Sequence, residues 1–318
     1  MIEIFNNLRD LLKNYYLNLK ETKKPIAYLS AMAPQEIFRA FGFEVFLPEN
    51  HSAHIGVKRK GEFFIKRAIQ EGFSPDICSY LLSDIGSHLE GKISFEEYGL
   101  ENFPLASLFC FSTNQCYEIG EWFKFLSSLY NVPFFSIPVV KNYNGEKDFL
   151  NFFERKILNL IKNIEEFRNE KLDFEKLNKN LKNTKEASIY WEKFLNLNKG
   201  KSFKSSFLDH LFLMAPMVLM RGEEKIVNFY KKLYEFSKDQ KDRDYKYRFW
   251  WEGMPVWGKL RYFKEKFEKL EMAVVGSTYA SSWVFNFESK NPVKAISEIY
   301  YKNLFITWSE EKKLKWLI

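Results

Sequence analysis

Two cysteines stand where a loop runs into a helix: Cys78 in Asp76-Ile-Cys-Ser-Tyr and Cys116 in Ser112-Thr-Asn-Gln-Cys-Tyr. A helix N-terminus favours the thiolate, the form that binds metal. Cys116 also falls at the carboxyl end of an expected strand, where open α/β sheets hold their ligands. The two lie far apart in sequence, so they share a site only if the fold brings them together. The plainer alternative is two buried thiols, since free cysteine is among the most buried residue types. Cys110, inside Leu108-Phe-Cys-Phe, is expected in the core, and no Cys-x-x-Cys spacing occurs. The four histidines are scattered; His51 and His54 are expected in a surface loop.

Two aromatic segments could wall a flat apolar ligand and keep water from a reactive intermediate. They are Phe249-Trp-Trp-Glu-Gly-Met-Pro-Val-Trp and Gly276-Ser-Thr-Tyr-Ala-Ser-Ser-Trp. Each follows an expected strand, so both can face one crevice; the alternative is that their tryptophans are core. Gly-x-Gly-x-x-Gly, the Walker loop, Gly-x-Ser-x-Gly and His-Glu-x-x-His are all absent. Ordinary nucleotide binding, serine hydrolysis and zinc proteolysis lose support accordingly.

These residues need a scaffold, and the hydrophobic pattern supplies one. Residues 1–24 read as an amphipathic helical arm, with Ile4, Leu8, Leu11, Leu12, Tyr15 and Tyr16 at helical spacing. Residues 25–144 alternate short apolar strands with helices, the order of a parallel sheet. A helix opens at Pro34 and closes at Gly42; strands follow at Phe43–Leu47, at Leu105–Phe111, which is of the fully apolar parallel-sheet type, and from Val132. Residues 145–245 turn helical, their Lys-rich faces expected in solvent. Residues 246–318 begin a second α/β unit with strands from Tyr247 and Met272 and a last helix over Ser309–Ile318. That second domain is expected to be incomplete. The fold class is therefore α/β: two Rossmann-like parallel-sheet domains with an N-terminal helix and a helical insertion.

The chain has 318 residues, 46% of them hydrophobic, so a sizeable core is available and disorder is excluded. Three cysteines exclude a disulfide scaffold and suit a reducing cytosol. The net charge of +7 permits an anionic ligand, but no basic stripe marks a nucleic-acid surface. No run reaches the length of a membrane helix and the start does not resemble a signal peptide. A soluble cytoplasmic protein is expected.

Five segments, in order, resemble the 2-hydroxyacyl-CoA dehydratase and benzoyl-CoA reductase superfamily. They are Ser30-Ala-Met-Ala-Pro-Gln-Glu-Ile-Phe-Arg-Ala-Phe-Gly-Phe; Pro48-Glu-Asn; Asp76-Ile-Cys-Ser-Tyr; Asn114-Gln-Cys with Trp122-Phe; and Trp251-Glu-Gly-Met-Pro-Val-Trp with Ser277-Thr-Tyr-Ala-Ser-Ser-Trp. The last is most similar to B-type subunits of benzoyl-CoA reductases. The resemblance implies an oxygen-sensitive [4Fe–4S] cluster held by three cysteines, with Cys78 and Cys116 the first two ligands and the third beyond the last helix of this chain. It implies an acyl-CoA thioester substrate, a homologous second subunit and an ATP-dependent iron–sulfur activator protein. By match, Ser30, Glu36 and Glu252 are catalytic candidates and Asn114 lies beside the cluster. Asn50, Trp257, Tyr279 and Trp283 are substrate-contact candidates. One-electron reduction of an aromatic acyl-CoA is the first expectation and radical dehydration of a 2-hydroxyacyl-CoA the second. A cluster-less structural subunit is the non-enzymatic alternative.

Overall fold

The computed structural model describes residues 2–140, 145–303 and 311. The helix expected over Ser309–Ile318 falls, but for Glu311, outside the described residues. Helix α1 (Ile2–Glu21) buries Ile4, Leu8, Tyr15, Tyr16 and Leu19 along one stripe. The Tyr15 hydroxyl donates to the Val45 carbonyl, which fastens this arm to the sheet.

Strand β1 (Ile26–Leu29), helix α2 (Gln35–Ala40) and strand β2 (Glu44–Phe46) form the first parallel crossover. Gly42 makes its turn at φ 81°, a left-handed conformation glycine adopts without a Cβ penalty. Then come α3 (Pro48–Val57), α4 (Gly61–Gln70), α5 (Ser79–Glu90), β3 (Ala106–Ser112), α6 (Tyr117–Tyr130) and β4 (Phe134–Ile137). All pairings are parallel and the strand order is β2-β1-β3-β4. The chain therefore reverses its direction across the sheet between β1 and β3. The loops leaving those two strands diverge, and a crevice opens at their carboxyl ends.

Alternation along the strands fixes what each face buries. Tyr28, Phe46 and Phe109 form an aromatic cluster that meets Phe123 and Tyr130 of α6. Cys110 points away from them into the core, fully buried as expected, with burial pushing its thiol up.

The helical stretch comprises α7 (Glu146–Arg168), α8 (Phe174–Leu195), α9 (Phe207–Leu213), α10 (Ala215–Leu219) and α11 (Glu224–Lys238). Lys176, Lys179 and Lys182 of α8 are exposed, as its pattern predicts. The second α/β unit pairs β5 (Tyr247–Trp251) in parallel with β6 (Met272–Ser277) around a 3-10 turn (Trp257–Lys259) and α12 (Leu260–Lys269). After α13 (Thr278–Ser281), helix α14 (Pro292–Lys302) packs on α7 and α8. The Tyr300 hydroxyl on α14 donates to the Met32 carbonyl at 2.6 Å, which ties this end of the chain to the loop after β1. Among the described residues no helix is long and apolar enough to cross a membrane.

One local expectation fails. His51 and His54 lie in α3, not in a surface loop. His51 is fully buried because the Asp84 carboxylate on α5 meets its Nδ1 at 2.6 Å, and its Nε2 accepts from the Ser94 amide at 3.0 Å. Both ring nitrogens are thereby satisfied without water.

Candidate functional site

A cavity of about 710 Å³ opens at the carboxyl ends of β1 and β3 and runs to the second α/β unit. Its walls include Ala31 and Met32 after β1, and Asn114, Gln115 and Cys116 after β3. The segment after β5 adds Glu252, Gly253, Met254 and Trp257, and that after β6 adds Thr278, Tyr279 and Trp283. Both aromatic segments therefore face one crevice.

Three helix starts converge here. Cys78 is the N-cap of α5 and Cys116 the N-cap of α6. Both thiols line the cavity, and Cys110 does not. Burial raises the Cys116 thiol, helped by Cys78 and Glu49 close by and opposed by the Ile119 amide at the start of α6. The third start is that of α3, where Pro48 fits the first turn and Glu49 follows it.

Glu49 is the residue that sequence reasoning passed over, although it sits inside the quoted Pro48-Glu-Asn. Its carboxylate accepts from the Ala31 amide and, at 2.6 Å, from Gln115 Nε2. Burial outweighs both bonds and pushes the carboxyl up to about 7. A carboxyl so poised can hold or release a proton near neutral pH. Tyr80 and Tyr279, both raised by burial, also feel Glu49.

The expected site residues divide into two groups. Asn50, Cys78, Asn114, Cys116, Glu252, Trp257, Tyr279 and Trp283 all line the cavity. Asn50 accepts from the Tyr16 hydroxyl at 2.8 Å, and Glu252 accepts from the Thr278 hydroxyl. Ser30 and Glu36 lie outside the lining. The Ser30 hydroxyl oxygen accepts from the Ser112 amide at 3.1 Å, joining the ends of β1 and β3. Glu36 accepts from Thr184 Oγ1 at 2.7 Å, joining α2 to α8.

Several polar groups on this wall are buried without a partner. They are Tyr80 Oη, both amide atoms of Asn114, Gln115 Oε1, and the indole nitrogens of Trp257 and Trp283. Buried polar groups are nearly always paired, so such a cluster marks a place for a polar ligand. Two soft thiols at helix N-caps also suit an iron–sulfur centre. Among the described residues, no group of three or more His, Cys, Asp or Glu is arranged to hold a metal ion. The fit therefore extends to two protein thiolates.

The family model described as 2-hydroxyglutaryl-CoA dehydratase, D-component, matches residues 30–318. The chain is 24% identical over 294 residues to the (R)-2-hydroxyisocaproyl-CoA dehydratase alpha subunit of Clostridioides difficile, covering 88% of this chain and 71% of that protein. It is 25% identical over 288 residues to the (R)-phenyllactyl-CoA dehydratase alpha subunit of Clostridium sporogenes, covering 88% and 70%. It is 23% identical over 261 residues to the B-type subunit of benzoyl-CoA reductase from Thauera aromatica, covering 77% and 60%.

Proposed function

The chain belongs to the 2-hydroxyglutaryl-CoA dehydratase D-component family, and from that premise we propose that it is a catalytic subunit of a 2-hydroxyacyl-CoA dehydratase. The observation that carries this reading is the meeting of two N-cap thiols and a near-neutral carboxyl on one cavity with unpaired polar groups. Dehydration removes the hydroxyl from C2 of the acyl group and a proton from C3, with no net oxidation. A group that accepts a proton near neutral pH is what the second loss needs, and Glu49 is the candidate.

Cys78 and Cys116 would hold a [4Fe–4S] cluster beside Asn114, with its other corners outside the protein groups described. Such a cluster, when bound, supplies a Lewis-acidic, one-electron centre of low potential. The chain's own residues do the rest. The Asn114 amide and the two indole N–H groups offer donors to the thioester carbonyl. Trp257, Tyr279 and Trp283 exclude water from the acyl group. Glu252 closes the far wall through Thr278. Ser30 and Glu36 act as positioning residues, holding the backbone from which Ala31 donates to Glu49. A homologous second subunit and an ATP-dependent activator that supplies electrons belong to the same reading.

A second reading, reduction of an aromatic acyl-CoA, is favoured by the two indoles facing the cavity and by the benzoyl-CoA reductase relative. The test of the centre is iron and acid-labile sulfide after strictly anaerobic purification of wild type, Cys78→Ala and Cys116→Ala. Equal iron and sulfide in the wild type, lost in either variant, is expected. A folded wild-type chain without iron would overturn the redox reading in favour of a structural subunit.

A further inference from the structure

The walls of the cavity differ in character away from the cysteines. Helix α1 packs on α10 at this end. Leu8 and Leu12 of α1, Leu211 and Phe212 of α9, Met214, and Val218 of α10 line it. These are aliphatic or aromatic side chains with no hydrogen-bonding groups.

The charges on the lining are one-sided. Four carboxylates belong to it: Glu49, Glu97, Glu118 and Glu252. Among the described lining residues, Lys58 is the one lysine or arginine. It is already engaged, its Nζ lying 2.5 Å from the Glu97 carboxylate. The same Glu97 carboxylate meets His54 Nε2 at 3.0 Å. Burial holds the His54 imidazole below its ordinary range, so it contributes no second cation at neutral pH.

We infer that this cavity selects an apolar acyl chain, aliphatic or aryl, and rejects an acyl group ending in a second carboxylate. The inference rests on the acyl-CoA reading above and names its substrate class. A terminal carboxylate entering the site would find no free cation among the described lining residues, would meet Glu118 and Glu252, which no lining cation offsets, and would lose its water. An apolar chain of the same length gives up no hydrated charge on entry. It gains about fourfold in affinity for each CH₂ it buries.

The test compares two unreactive saturated thioesters, 4-methylpentanoyl-CoA and glutaryl-CoA, by equilibrium binding to the full chain under anaerobic conditions. The wild type should bind the first at least tenfold more tightly. Glu97→Gln frees Lys58 from its partner, and that variant should shift the ratio of the two affinities at least fivefold toward glutaryl-CoA. Glu97 is partly exposed on a short surface turn, so its replacement leaves the core intact. Glutaryl-CoA binding the wild type as tightly as 4-methylpentanoyl-CoA would overturn the selectivity and leave the acyl-CoA reading standing. A folded wild type that binds neither thioester would overturn the acyl-CoA reading itself, and the selectivity with it.

Discussion

Replacing Glu49 by glutamine tests whether this carboxyl is strained by its surroundings or merely present. Burial pushes it up to about 7 against the bonds from Ala31 and Gln115. At 1.36 kcal/mol per tenfold shift in proton affinity, full burial would be worth ~3 kcal/mol, and partial exposure to the cavity reduces this to about 2. The sign follows from where each state releases its proton. Below about pH 4 both states hold it, and the carboxyl costs nothing. Between there and about 7 the unfolded chain ionises first, so stability falls. Above that range the loss is complete. Glutamine keeps the shape. Its oxygen still accepts from the Ala31 amide. Gln115, whose Oε1 has no partner, can turn its side-chain amide over to accept from the new N–H group. Glu49→Gln should therefore match the wild type at pH 4 to within about 0.5 kcal/mol and exceed it by about 2 kcal/mol at pH 8. Urea unfolding of both proteins across that range, followed by tryptophan fluorescence, measures the difference directly. Titration of every other group cancels in the subtraction. A difference that does not grow with pH would refute the assignment of a near-neutral carboxyl, and the proton-handling role with it.

Asp84 accepts from Trp122 Nε1 at 2.9 Å, meets His51 Nδ1 at 2.6 Å and faces His88 Nε2 at 3.3 Å, all buried. Burial by itself would raise this carboxyl, but the imidazoles of His88 and His51 hold it below its ordinary range. Asp84→Asn should cost about 3 kcal/mol or more at neutral pH, with the penalty starting to shrink below about pH 4, where the unfolded wild-type chain takes up the proton before the folded one. Denaturant unfolding at pH 7 and pH 3.5 checks both parts, and a loss under 0.5 kcal/mol at pH 7 would contradict the network. Gly86→Ala should be still harder to accommodate: its Cβ would lie 1.8 Å from the Phe64 carbonyl oxygen, a backbone atom of α4. That helix must move off α5, at a cost of about 3 kcal/mol or more, and a melting temperature near wild type would show the contact to be looser.

Much of this was legible in the sequence because strand hydrophobicity and helix punctuation are local signals. The apolar runs around Tyr28, Val45, Leu108 and Phe135 are the four parallel strands, and the loop-to-helix placement of Cys78 and Cys116 is their N-cap placement. What escaped depends on partners distant in sequence. Glu49 carries no local mark in the sequence; its altered proton affinity comes from burial, which outweighs the bonds from the Ala31 amide and the Gln115 side chain. His51 reads as a loop residue until Asp84 arrives from another helix. Ser30 and Glu36 are catalytic candidates by resemblance, yet the Ser112 amide and the Thr184 hydroxyl occupy them. Among the described residues, the second α/β unit contributes a two-stranded sheet, and its value lies in the two segments it turns toward the cavity.

The same distant contacts explain how three separate helix starts are held at one point. Glu49, Cys78 and Cys116 sit at the N-termini of α3, α5 and α6, and α5 packs against both of the other helices. A single carboxylate links them: Asp84, on α5, is bonded to His51 on α3 and to Trp122 on α6. Trp122 also presents part of its ring to the cavity, so the network reaches the site wall itself. A buried ion-paired network of this kind gains little net stability over apolar packing, because desolvation offsets most of the attraction. What it gains is geometry. Apolar side chains would let α3, α5 and α6 slide against one another with little penalty, whereas each of these bonds fails within a few tenths of an ångström. The cavity can then be roomy and poorly satisfied at its polar wall, as a binding site must be, because its registration is fixed one layer deeper.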